Sequence, residues 1–136
     1  MHRLGELLMR FETKQLPVNQ DYAAPDGSEI RLLLEVSRGG VCHCTLASGR
    51  TSRAVAHRTV DEVWYFLQGR GQVWRSLGDH EREVDVCPGT CLTVPVGTHF
   101  QVRNTGSEPL FFIIATMPPW PGPAEAVAVE AHWAVS

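Results

Sequence analysis

Apolar and polar residues alternate in short runs along most of the chain, and turn-forming residues separate the runs at intervals of roughly 8 to 12 positions. That period of two predicts strands over 30–36, 41–46, 52–59, 61–68, 72–76, 82–86, 90–94, 100–104 and 110–116. Pro25-Asp26-Gly27 marks a turn ahead of the first strand, and Arg38-Gly39-Gly40, Leu77-Gly78-Asp79-His80 and Thr105-Gly106-Ser107 mark turns between later ones. No interior stretch shows a sustained helical period. Near the start, Leu4, Leu7, Leu8 and Phe11 fall at helical spacing, interrupted by Glu6 and Arg10, and predict a short amphipathic helix or an arm within residues 1–20. Residues 124–133 are expected to form one short helix. Between Met117 and Pro123 the prolines forbid a continued ladder and predict a stiff extended segment that carries Trp120 across the barrel, as a lid or as a plug.

Many short strands without interior helices point to an all-β sandwich or jelly-roll barrel. The expected organisation is a single domain, 1–136, with a barrel core over about 28–117, an N-terminal arm 1–27 and a proline-rich C-terminal segment 117–136. A length of 136 residues suits one core, and 43% hydrophobic with 20% charged residues is ordinary globular composition. A formal charge of -3 gives no reason to expect a nucleic acid or an anionic membrane as partner. Without a membrane-length apolar run or a secretory leader, the expected location is cytoplasmic. The four cysteines, Cys42, Cys44, Cys87 and Cys91, lack zinc-site spacing and are expected to be small buried hydrophobes.

Chemistry concentrates between Ala54 and Gly71. His57, Asp61 and Glu62 precede the apolar run 63–67, and Gly69-Arg-Gly71 closes it. An imidazole and a carboxylate entering a buried strand need partners or a ligand. Alternation turns Glu62, Trp64 and Phe66 inward and Asp61 outward. Gly49, His57, Thr59, Glu62 and Gly69 resemble the first motif of the cupin superfamily, Gly-x5-His-x-His-x3/4-Glu-x6-Gly. Gly89, Pro95, Gly97, Phe100 and Asn104 resemble its second, Gly-x5-Pro-x-Gly-x2-His-x3-Asn. The resemblance implies a double-stranded β-helix, the jelly-roll or cupin barrel, that pairs as a homodimer and holds a small molecule inside.

In metal-binding members three histidines and one glutamate converge on Fe, Mn, Ni, Zn or Cu. Carried over, His57 and Glu62 occupy two ligand positions, while Thr59 and Phe100 replace the other two. One expectation is therefore a small-molecule-binding protein with a degenerate or absent metal site, its pocket formed by His43, His57, Thr59, Glu62, Trp64, Phe66 and Phe100. The alternative is a metal-dependent enzyme, a dioxygenase or one resembling the sugar isomerases and epimerases, holding one divalent metal on His57, Glu62 and His99. Strand parity opposes it, because His99 faces away from Phe100 unless a bulge resets the register. A third is a metal-free pocket in which His57 and Glu62 bond one another with help from the Thr59 hydroxyl and act as general acid and base. His43 is a further possible ligand. Arg50, Arg53 and Arg58 form a basic cluster that could receive an anion, and His2, His80 and His132 are expected at the surface.

Overall fold

The computed structural model describes residues 11–136, so the helix or arm expected at the very start, and His2, lie outside the described residues. Among the described residues, eleven strands form two antiparallel sheets. They are β1 (Tyr22–Ala23), β2 (Glu29–Val36), β3 (Gly39–Leu46), β4 (Val55–His57), β5 (Asp61–Gln68), β6 (Gly71–Leu77), β7 (His80–Val86), β8 (Cys91–Val94), β9 (His99–Asn104), β10 (Leu110–Met117) and β11 (Ala126–Ala128). The six-stranded sheet runs β1-β2-β3-β10-β5-β8 and the five-stranded sheet β11-β4-β9-β6-β7. This is the all-β jelly roll that the alternation predicts. No helix among the described residues is long and apolar enough to cross a membrane.

The inner faces meet in an aromatic and aliphatic core. Trp64, Phe66 and Phe112 are essentially inaccessible, and the Phe66 and Phe112 rings stack at 4.8 Å. Removing a ring as well enclosed as Phe66 typically costs about 3–5 kcal/mol, through lost transfer energy and the cavity left behind. Gly69 turns the chain from β5 into β6 at φ 90°, in the left-handed region that glycine adopts without penalty. Gly71, two residues on, has no Cβ, which lets the Arg103 carbonyl of β9 approach the strand closely.

The C-terminal segment departs from expectation. No helix spans 124–133. A single 3-10 turn, Pro123–Glu125, leads into β11, which pairs with β4. Beyond it, the chain lies on the outer face of the five-stranded sheet. The buried Gln101 side chain accepts from the His132 and Trp133 amides and donates to the Trp133 carbonyl. His132 is exposed at the surface as expected, and there it stacks on Trp74 at 4.8 Å and reaches Glu83 at 3.2 Å, which fastens the tail. Among the cysteines, Cys44 is buried and gives its thiol to Ser28 Oγ, but Cys91 is exposed, because its position in β8 points outward.

Candidate functional site

Both sheets contribute to a cavity of about 660 Å³ that opens between them. β4 ends in His57, and β5 carries Glu62 and Trp64 inward on alternate residues. β9 supplies Phe100 and β10 supplies Ile114 and Thr116. Tyr22, Asp26 and Cys42 line the side formed by β1, the loop after it, and β3. Trp120 leans over the cavity from the proline-rich strap, its ring edge-on to the His57 ring at 5.1 Å. Phe100 meets the same imidazole at 5.0 Å, so His57 is held between two aromatic rings. Trp120 therefore covers the cavity at His57.

Glu62 is committed on both oxygens. Trp64 donates its indole N–H to Oε1 at 2.9 Å, and the Thr116 hydroxyl donates to Oε2 at 3.0 Å. Burial nevertheless pushes the carboxyl up to about 7, against the pull of those two donors. Burial also pushes His57 down to about 4, with the Glu125 carboxylate opposing. The imidazole Nδ1 stands 3.8 Å from Glu62 Oε1, within ion-pair reach but too far for a direct hydrogen bond. Separation and protonation thus point different ways. Desolvation decides, because both groups are more than nine-tenths enclosed and each neutral form is favoured by its surroundings. His57 Nδ1 is buried with no hydrogen-bond partner among the described residues.

Not every residue expected at the site is there. Thr59 is exposed, and it donates its hydroxyl and its amide to Glu125 at 2.5 and 2.6 Å. Glu125 also accepts the buried Val60 amide at 3.0 Å, so its carboxylate is held below the usual range. The hydroxyl that was to complete a His57–Glu62 pair is used instead to fasten the strap. Phe66 packs in the core beneath Trp64 and does not line the cavity. His43 sits on the outer face of β3, buried against Phe111 at 5.2 Å. His99 is exposed, because no bulge intervenes and the β4–β9 register places it opposite Ala56, beside inward-facing Phe100. Arg50 and Arg53 are engaged with the Ser136 and Pro25 carbonyls, which leaves no common anion site with Arg58.

The structure brings His57, Glu62, Trp64 and Phe100 together and adds residues that sequence reasoning missed. Asp26 is buried and takes two hydrogen bonds from Ser28, at 2.9 Å from the amide and 2.6 Å from the hydroxyl. Burial raises its pKa. Tyr22 and Cys42 are each pushed up to about 12 by burial, so both are protonated donors at neutral pH. The Pro25-Asp26-Gly27 sequence signalled only a turn; long-range packing put its carboxyl in the cavity.

A divalent metal asks for three or four protein donors. His57 and Glu62 are two, Glu62 has both oxygens occupied, and no group of three His, Cys, Asp or Glu side chains converges among the described residues. Among the described residues, the donors present do not complete a metal centre.

The model of the cupin domain family matches residues 42–116. An uncharacterized protein of Methanocaldococcus jannaschii is 28% identical over 104 residues, covering 73% of this chain and 80% of that protein. A crystal structure of a Bacillus halodurans protein is similar at TM-score 0.63 and 24% identity, over 75% of this chain and 76% of that one. Oxalate decarboxylase from Bacillus subtilis, a protein with Mn(II) centres, is similar at TM-score 0.67 and 19% identity. That match covers 85% of this chain but 30% of the decarboxylase, and at this identity the likeness is one of fold.

Proposed function

The chain belongs to the cupin domain family, and from that membership and the unpartnered imidazole of His57 we propose that it binds a small molecule in the cavity between its sheets. The buried Nδ1 of His57 carries this reading, since an unsatisfied polar atom at that depth costs roughly 1–3 kcal/mol unless a ligand completes it. A hydroxyl or amine group bridging His57 and Glu62 would do so. Trp64, Phe100, Ile114 and Trp120 offer apolar walls for the rest of the ligand. The carboxyls of Asp26 and Glu62, both on the cavity wall and both raised by burial, can stay neutral beside a neutral ligand or ionise to meet an amine, which favours such ligands over an anion that neither could pair.

The Mn(II) centres of the decarboxylase are not carried over, because among the described residues nothing replaces the ligand positions taken by Thr59 and Phe100. Pairing of two copies would use the outer face of the six-stranded sheet, where Tyr65 and Leu67 are exposed. The binding reading is tested by screening small polyols, amines and matched carboxylates by thermal shift on wild type and His57→Phe. Hits among the neutral or amine-bearing compounds that disappear in the variant support it. A screen dominated by carboxylates, or by hits indifferent to the substitution, would overturn it.

A further inference from the structure

A second recess, of about 250 Å³, lies where the edge strands β7 and β8 leave the two sheets open to each other. None of its lining residues belongs to the His57 cavity. Arg75 of β6 and Arg82 of β7 are register partners, so their side chains leave the same face of the sheet directly opposite one another. Two guanidiniums in that relation repel. No carboxylate lies within ion-pair distance of either among the described residues. Glu81 borders the recess, but its Oε1 accepts the Trp74 indole at 3.0 Å and faces His132.

The donors are as telling as the charges. Arg75 gives one terminal nitrogen to the Thr93 carbonyl at 2.7 Å, which fixes the guanidinium across the gap between the sheets. Its Nε is buried and has no partner among the described residues. The Thr98 hydroxyl borders the same recess, is likewise buried without a partner, and belongs to a residue only 2% exposed. Two orphaned groups and two unneutralised cations, all on residues that line one small hollow, call for a ligand that accepts hydrogen bonds and carries negative charge.

We propose that this recess binds one small oxyanion group, a phosphate or a carboxylate, through Arg75 Nε–H, the Arg82 guanidinium and the Thr98 hydroxyl. Bound there, the anion would satisfy both orphaned groups and remove the cross-strand repulsion.

The test is a titration of the full chain with inorganic phosphate and, separately, with acetate, at constant ionic strength set by sodium chloride. Melting temperature reads stabilisation, and phosphorus NMR reads phosphate exchange. A saturable rise in melting temperature is expected with at least one anion, and which one responds identifies the oxyanion. Arg82→Gln, on an exposed residue, and Thr98→Val, which removes an unpartnered hydroxyl, should each weaken binding by about tenfold or more. Arg75→Gln should abolish it; if that variant does not fold, the other two still decide. A shift no larger than chloride alone produces would overturn the proposal. So would saturable binding undiminished in Arg82→Gln and Thr98→Val.

Discussion

Replacing either member of the His57–Glu62 pair should uncover a pH dependence of stability that the intact pair conceals. Between about pH 4.5 and 6.5 the unfolded chain carries an ionised Glu62 and a protonated His57. In the fold both are neutral, since Glu62 is raised to about 7 and His57 lowered to about 4. Folding moves one proton from imidazole to carboxyl without changing the total bound, so the pair contributes no slope there. In Glu62→Gln only His57 titrates. Its folded value lies below its ordinary 6.5, the unfolded state binds more protons, and stability is lost as pH falls from 6.5 towards 4. In His57→Gln only Glu62 titrates. Its folded value lies above its ordinary 4.5, the fold binds more protons, and stability is lost as pH rises from 4.5 towards 7. At about 1.4 kcal/mol per pH unit, each variant should change by roughly 3 kcal/mol across its window, in opposite directions. Asp26, also buried with a raised pKa, adds the same background slope to all three proteins. Urea unfolding at pH 4.5, 5.5, 6.5 and 7.5 under fixed ionic strength measures these curves. Parallel curves for wild type and both variants would refute the reasoning, as would slopes of reversed sign, which mark a buried ion pair.

Three further outcomes follow from named contacts. Glu125→Ala leaves the wholly buried Val60 amide unpaired and removes two bonds to Thr59, and should cost about 2–4 kcal/mol in chemical denaturation. Trp120→Ala admits water to the imidazole it covers, so the His57 titration followed by NMR should move upward from about 4 towards 6.5. Gly71→Ala places a Cβ inside contact distance of the Arg103 carbonyl, and because backbone must shift to admit it, a loss of more than about 2 kcal/mol is expected in thermal unfolding.

Much of the fold was legible because its signals are local. Alternation in β5 fixes Glu62, Trp64 and Phe66 as inward, and the same parity puts His99 outside next to Phe100. Depth within the sandwich is not local, so Trp64 reaches the cavity while Phe66, on the same face, is sealed in the core. Contacts across long separations were also hidden. Thr59 looks like a ligand position in its motif, yet its partner is Glu125, 66 residues away. Asp26 reads as a turn former, and only the packing of β1 and β2 against β3 turns its carboxyl into the cavity. The helix expected over 124–133 failed for the same reason, since pairing with β4 and the grip of Gln101 decide that segment.

In the proposed function the cavity binds its ligand through a neutral His57–Glu62 pair, with no resident metal. Elemental analysis of untagged protein purified without chelators, on wild type and His57→Ala together, tests it most directly. Well under one metal per chain is expected in both. Close to one metal per chain in wild type, lost in His57→Ala, would contradict it.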